Sequence, residues 1–176
     1  MLPFQHKKSI FIDKDYFDIL NKNIKVNYDT LNINGSVFKE RRGTAWFSSS
    51  NTPFQYGGKN MEPKKLPQIL NEIKEKLKNI TGEYYDSVLV NYYPDGNSAM
   101  KYHSDPLYDT WTENQAIVSF GSTRKLIYRE KTNKDIKYEF VLNSGDIIIS
   151  SANCQEKYQH CLKKSKNSIN PRFSFN

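Results

Sequence analysis

The sequence has few of the residues on which several classes of protein depend. It contains only two cysteines, Cys154 and Cys161, in 176 residues. That number is too small for a disulfide framework, and we expect two reduced thiols. No apolar run approaches the roughly 20 residues that cross a bilayer, and residues 1–10 lack the apolar run of a secretory signal peptide. We therefore expect an intracellular protein of the cytoplasm or nucleus, without membrane contact, and a monomer.

Acidic residues are also comparatively scarce. There are 19 Asp and Glu against 26 Lys and Arg, which gives a net charge of +7 and a sequence pI near 9.2. Basic proteins bind polyanions because binding releases condensed counterions, so nucleic acid is a natural partner. A high lysine content is equally explained by an AT-rich genome, so charge alone does not decide between the two.

The length and the pattern of apolar residues predict a single domain, residues 1–176, of the α+β class. Apolar residues at helical spacing predict a short helix over 13–26 and a longer amphipathic helix over 67–80. Residues 35–58 have little periodicity, which favours short strands and exposed loops. From residue 84 onward the pattern is typical of strands separated by turns, at 87–93, 116–120, 124–128, 138–142, 146–150 and 172–176. We expect a β-sandwich or jelly-roll core over 84–176, with the N-terminal helices packed on one sheet.

The three histidines direct attention to a possible metal site. Side chains alternate along a strand, so His103 and Asp105 lie on one face. His160 follows after several strands and could return beside them in a jelly roll. Two histidines and one carboxylate form the facial triad of non-haem iron(II) enzymes. A buried His–Asp hydrogen bond explains the first pair equally well, whereas zinc is disfavoured because Cys161 faces away from His160.

The last residues of the sequence predict an anion site. By alternation Arg172, Ser174 and Asn176 share a face of one strand, and an inward-facing arginine in a barrel is costly unless it binds an anion. Asn91 and Tyr93 share a face of an earlier strand and offer an amide and a hydroxyl. Together these side chains could hold a dicarboxylate next to the metal.

Taken together, these segments resemble the AlkB family, in particular its DNA-repair branch. The likeness covers roughly residues 40–176 and includes the N-x-Y segment, the H-x-D motif, the distal histidine and the start of the closing R-x-N-x-T-x-R motif: Asn91-Tyr92-Tyr93, His103-Ser104-Asp105, His160 and Arg172-Phe173-Ser174-Phe175-Asn176. The resemblance implies a double-stranded β-helix that binds Fe(II), 2-oxoglutarate and O2. In that case Arg172 and Tyr93 would hold the far carboxylate of 2-oxoglutarate, with Asn91 nearby.

The resemblance also implies a lid over residues 35–58 that recognises the base. A target base has to leave the stack, and Tyr56 would stack on it against the His103 side of the site. The other residues expected to contact or support the substrate are Phe54, Gln55, Trp46, Arg41, Arg42 and Asp109, of which the two arginines would hold phosphates. The alternative is that the aromatics belong to the core and the arginines to a solvated face.

Three departures from the family pattern bear on the substrate. Pro106 and Leu107 follow the metal Asp, where the family often has a second acidic residue, and Asp109 is the nearest acid. The second arginine of the closing motif would lie beyond Asn176. Val37 and Phe38 could form a small intercalating wedge, although no long hairpin is evident.

We expect an oxidative demethylase acting on DNA or RNA bases such as 1-methyladenine and 3-methylcytosine, which would release formaldehyde, succinate and CO2. Two other hypotheses fit the same residues. One is an oxygenase of the same fold that acts on protein side chains. The other is a catalytically impaired module that only binds nucleic acid.

Overall fold

A computed structural model of the chain describes residues 2–56, 58–106, 114–151, 153–167 and 170–176. In chain order its elements are β1 (Phe4–Lys7), α1 (Tyr16–Asn23), β2 (Thr30–Ile33), β3 (Ser36–Lys39), β4 (Gly43–Ser48), β5 (Phe54–Tyr56), β6 (Lys59–Met61), α2 (Gln68–Thr81), β7 (Ser87–Tyr93), β8 (Met100–His103), β9 (Gln115–Gly121), β10 (Arg124–Glu130), β11 (Lys137–Leu142), β12 (Ile147–Ser150), α3 (Cys154–Lys157), β13 (Tyr158–Leu162) and β14 (Arg172–Phe175).

The two predicted N-terminal helices are present and have recognisable ends. The Asp15 side chain caps α1 by accepting a hydrogen bond from the Asp18 N–H, which satisfies one of the unpaired donors of the first turn. Helix α2 ends at Gly82, whose φ of 75° is left-handed and therefore favours glycine. The apolar stripe of α2 is buried, as its periodicity predicts.

Ten of the strands form two antiparallel sheets. The larger has the order β1-β12-β9-β14-β7-β4 and the smaller the order β11-β10-β13-β8. Apolar side chains of both sheets meet in one cluster, where Ile117 and Ile148 of the larger sheet join Leu126 and Leu142 of the smaller. The molecule is thus a two-sheet jelly roll of the α+β class, and the predicted fold class is confirmed.

The helices cover the outer face of the larger sheet. Leu20 of α1 and Ile73 of α2 belong to the same buried cluster as Val90, Phe120 and Phe173 from the central strands. The functional site lies on the other side of this sheet, where polar side chains share the space between the two sheets with the apolar cluster.

The larger sheet extends beyond the predicted core of residues 84–176, because β1 and β4 from the N-terminal half form its two edges. The lack of periodicity over residues 35–58 had favoured short strands and exposed loops. Strand β4 is one such strand, but all six of its residues are buried. The pattern did not indicate this burial because both faces of the strand are covered, so apolar and polar residues do not alternate. Part of the predicted lid is therefore a fixed strand of the sheet.

The β2–β3 hairpin is a separate small element. Its two turn residues, Asn34 and Gly35, have φ values of 52° and 80°, as a two-residue type I′ turn requires. On β3, Val37 and Phe38 are 68% and 54% exposed, which is unusual for such large apolar side chains.

Two simpler expectations can be compared with the fold. Cys154 and Cys161 are both free and buried, as two reduced thiols should be. In the part of the chain that the structure describes, no helix is long and apolar enough to span a membrane.

Candidate active site

Strands β8 and β13 bring two histidines and one aspartate together. In the β8–β13 pair His160 lies opposite His103, and Asp105 follows two residues after the end of β8. The Nε2 atoms of His103 and His160 are 3.2 and 3.7 Å from Asp105 Oδ1. One ligand atom from each residue can be chosen so that all three lie within 4.8 Å of one another. Ligands that share one face of a metal ion at bond lengths of about 2.1 Å are roughly 3 Å apart, so this is a nearly assembled facial triad.

Hydrogen bonds outside the triad fix the orientation of its members. His103 Nδ1 is 2.8 Å from the Lys101 carbonyl oxygen, so this nitrogen carries the proton and Nε2 is left to face the cluster. The Asp105 N–H donates to Gln155 Oε1 at 2.8 Å, and Ser104 Oγ donates to the Tyr158 carbonyl at 2.8 Å. Such outer contacts orient metal ligands and raise their basicity.

The local electrostatics favour metal-ready protonation states at Asp105 and His160. Burial raises the pKa of Asp105, but His160 and His103 outweigh it and the net shift is downward, so the carboxylate is ionised. Burial lowers the pKa of His160 to about 4, so its imidazole is neutral at pH 7. For His103 burial lowers the pKa, yet its hydrogen bond and charge interaction with Asp105 reverse the sign and the net shift is upward.

One buried atom shows that a metal suits this cluster. His160 is 3% exposed, and among the described residues its Nε2 has no hydrogen-bond partner. A buried nitrogen without a partner is costly. A metal ion bound by His103, Asp105 and His160 would complete its coordination.

A second set of polar groups lies on the facing sheet. Arg172 on β14 is 1% exposed and pairs with Tyr93 of β7 in the sheet register. Its Nε donates to Ser119 Oγ at 3.0 Å. Its two terminal nitrogens, Nη1 and Nη2, have no partner among the described residues. Burial lowers the Arg172 pKa to about 10, and at pH 7 the guanidinium is still charged. Its Nη1 and Nη2 atoms can therefore pair with a carboxylate.

The remaining predicted co-substrate residues are close to this arginine. Ser174 lies opposite Asn91 in the register of β14 and β7. Asn176 Oδ1 accepts from Ser174 Oγ at 3.1 Å and from Asn91 Nδ2 at 3.4 Å. The structure thus gathers all five residues predicted for the co-substrate on one wall of the site. Their role in binding stays a prediction.

Two buried residues near Arg172 and Tyr93, one from each sheet, were not predicted from the sequence. Ser119 supports the Arg172 Nε, and alternation along β9 could have suggested it. Arg124 donates to the carbonyl oxygens of Asp95, Ser98 and Lys163. Its position at the start of β10 gave no indication of burial.

The triad on the smaller sheet, the residues around Arg172 on the larger sheet and the predicted lid all line one open cavity of about 1120 Å³. The triad, Arg172, Asn91 and Tyr93 lie within it, and Tyr56 and Phe54 border it.

Phe54 stacks on Trp46 with ring centres 4.9 Å apart, and both rings are buried. Gln55 and Arg41 are exposed. Asp109 and Leu107 lie outside the described residues.

Arg42 differs from what the sequence suggested. It is 8% exposed, its Nη1 donates to Asn91 Oδ1 at 2.8 Å and its Nη2 donates to Tyr56 OH at 2.9 Å. This burial does not favour the predicted contact of Arg42 with a phosphate, which stays a prediction. Its side chain connects the lid to the co-substrate wall.

The sequence matches the family model described as the 2OG-Fe(II) oxygenase superfamily over residues 22–175. The chain belongs to this superfamily. It is therefore a dioxygenase that uses Fe(II), 2-oxoglutarate and O2, and its relatives are AlkB-like.

Three relatives have a similar sequence. An uncharacterised protein of Acanthamoeba polyphaga mimivirus is 33% identical, over 88% of this chain and 82% of the viral protein. The mouse alpha-ketoglutarate-dependent dioxygenase alkB homolog 3 is 30% identical, over 77% of this chain and 50% of its own length. The bovine DNA oxidative demethylase ALKBH2 is 24% identical, over 74% and 50%. The chain thus spans about half the length of these mammalian relatives.

A solved structure agrees on the fold. OsALKBH1 superposes with a TM-score of 0.72 at 14% identity, covering 99% of this chain and 97% of the other. An identity this low supports the jelly-roll fold alone.

Proposed function

We propose that this protein removes N-linked alkyl groups from nucleic-acid bases by oxidation. The observation that carries the proposal is that one cavity contains the triad, the unpaired Arg172 fork and, at its border, the aromatic ring of Tyr56. A planar ring beside an oxidising centre suits a base that has been turned out of its stack. The relationship to ALKBH2, a DNA oxidative demethylase by name, supports it.

Each group has a separate task in this proposal. His103, Asp105 and His160 would hold Fe(II), and Arg172 would pair with the far carboxylate of 2-oxoglutarate. When bound, these partners and O2 supply the oxidation by which an N-methyl group leaves as formaldehyde, while 2-oxoglutarate becomes succinate and CO2. Tyr56 stacks on the base and places its alkyl carbon towards the triad. Burial of Phe54 and Trp46 behind it excludes water from that side.

The surface around the cavity is consistent with a polyanionic partner. The chain carries a net charge of +7. Lys39, Arg41 and Lys101 are exposed and border the same cavity. None of the three forms an ion pair with another described residue, so they remain available for phosphates. Phe38 also borders the cavity and offers an apolar edge beside it.

The test is formaldehyde and succinate release with Fe(II), ascorbate and 2-oxoglutarate, using oligonucleotides that carry 1-methyladenine or 3-methylcytosine as DNA and as RNA. We expect one formaldehyde for each base repaired, and no product from His103→Ala. Succinate release without base repair on any oligonucleotide would overturn the proposal and direct attention to protein side chains as substrates.

A further inference from the structure

Lys59 lies at the centre of a partly buried charge network that includes residues of the predicted lid. Its side chain is 11% exposed. Its Nζ donates three hydrogen bonds, to Asp29 Oδ2 at 2.7 Å, Glu40 Oε2 at 2.8 Å and Thr44 Oγ1 at 2.9 Å. An ammonium group has three donors, so every one of them is used.

The same network continues to the ring of Tyr56. Lys59 Nζ lies 4.6 Å from the centre of that ring. Tyr56 OH donates to Glu40 Oε1 at 2.9 Å and accepts from Arg42 Nη2 at 2.9 Å. One phenol therefore has a cation over its face and both a donor and an acceptor at its hydroxyl, which together fix its orientation.

The partners of Lys59 come from separate parts of the chain. Asp29 precedes the β2–β3 hairpin, Glu40 follows it, and Thr44 belongs to the fixed strand β4. The backbone N–H of Glu40 also donates to the Asp29 carbonyl at 2.8 Å. Lys59 and Tyr56 face each other across β5 and β6. Lys59 thus connects the small β5–β6 hairpin to the larger sheet.

The charges of the network are balanced. Burial lowers the pKa of Lys59, but its interactions with Asp29, Glu40 and Tyr56 outweigh this and the net shift is upward. Lys59 and Arg42 are thus matched by Asp29 and Glu40. Removing one member leaves a buried charge uncompensated, and this makes the arrangement sensitive to substitution.

We infer that Lys59 is a positioning residue that holds the Tyr56 ring in a fixed orientation before a base arrives. The inference rests on the proposed function, because it assigns the purpose of that orientation to base stacking. A ring that is already ordered spares the ordering cost of about 0.5–1.5 kcal/mol for one side chain at binding. Loss of Lys59 should therefore weaken substrate binding more than it slows the chemical step.

The experiment compares Lys59→Met with Lys59→Arg and wild type in steady-state demethylation of a methylated oligonucleotide. For Lys59→Met we expect KM to rise about 2-fold to 12-fold, which corresponds to the ordering cost above, while kcat changes by a smaller factor. Lys59→Arg keeps the charge and should restore most of the affinity. Affinity for 2-oxoglutarate, measured by calorimetry, should be the same in all three because Arg172 is not part of the network.

The chain offers a matched control. Lys74 Nζ lies 4.9 Å from the Tyr84 ring and 3.3 Å from its hydroxyl, a similar pair at an exposed site. Lys74→Met should leave KM and kcat at wild-type values. If Lys59→Met unfolds below the assay temperature, Glu40→Gln replaces it. This change removes the charge of the acceptor that Lys59 and Tyr56 share, and it should raise KM without changing kcat.

The outcomes separate the inference from the function on which it rests. If wild type repairs no base, the proposed function fails. If wild type repairs bases and Lys59→Met has an unchanged KM, only the inference is overturned. An equal loss in kcat and in 2-oxoglutarate affinity would also overturn it, because that result indicates general damage to the site.

Discussion

The guanidinium carbon of Arg172 lies 5.7 Å from the centre of the Tyr93 ring, directly across the β14–β7 pair. Tyr93 is itself buried, and a second arginine, Arg124, lies 5.8 Å from the same ring. Two buried cations therefore approach one phenol ring. They differ in their hydrogen bonds, because Arg124 donates to three carbonyl oxygens whereas the terminal nitrogens of Arg172 have no partner in the part of the chain that the structure describes.

This difference predicts opposite effects of two similar substitutions. Arg172→Met removes a buried charge whose two terminal nitrogens have no partner among the described residues, so the ligand-free protein should be at least as stable as wild type. Arg124→Met leaves carbonyl oxygens unsatisfied and should cost about 1–3 kcal/mol. Thermal melting without ligand measures both.

Adding 2-oxoglutarate with a divalent metal to the same melting experiment tests the role of Arg172. At a concentration of 100 times Kd, a ligand stabilises a protein by about 2.7 kcal/mol. Wild type should show this gain, and Arg172→Met should lose nearly all of it. A full gain in the variant would show that the co-substrate does not pair with Arg172.

Removal of a triad histidine should abolish metal binding, and the third histidine of the chain provides the control. His6 pairs with Asp146 at 3.2 Å, away from the triad. Changes outside the first coordination sphere already cost about 10–100-fold in metal affinity, so His160→Ala should cost at least about 100-fold. His6→Ala should bind metal as wild type does. Equilibrium dialysis with metal analysis would measure this, and a retained stoichiometry in His160→Ala would contradict the assignment.

The two cysteines should resist alkylation in the native protein. Burial raises the pKa of Cys154 to about 11 and also raises that of Cys161. The reactive form is the thiolate, and a raised pKa reduces its population at every pH below that value. At pH 8 we expect alkylation of Cys154 by iodoacetamide to be at least about 100-fold slower than in denaturant, where thiols have an ordinary pKa near 8.5, and alkylation of Cys161 to be slowed as well. Mass spectrometry would follow the reaction, and rapid native labelling would contradict the prediction.

Phe38 gives a prediction that depends on the proposed function. Because it is exposed, Phe38→Ser should change the free energy of unfolding by less than about 0.5 kcal/mol. An apolar side chain can help to unstack a base pair, so the variant should lose about 10-fold in activity on double-stranded oligonucleotides and little on single strands. Ile12→Ser, at another exposed apolar residue, should change neither. If Phe38→Ser loses no activity relative to wild type on either double-stranded or single-stranded oligonucleotides, the hairpin does not take part in substrate recognition.

The sequence predicted those parts of the site that depend on local periodicity. Alternation along a strand places His103 with Asp105 and Arg172 with Ser174, and both pairs lie together in the fold. The network of Lys59, Asp29 and Glu40 was not predicted, because its members come from separate segments of the chain and no short-range pattern links them. The burial of β4 and of Arg42 was missed for a similar reason, since coverage of a strand on both faces depends on elements distant in the sequence.

The division of the site between the two sheets has a mechanical consequence. The triad belongs to the edge of the smaller sheet, whereas Arg172 and its neighbours belong to the larger one. A molecule that contacts both walls would act as a removable cross-link through the middle of the sandwich. Conversion of that molecule into a shorter product would release the cross-link, so resistance of the protein to pulling or to proteolysis should rise and fall with each turnover.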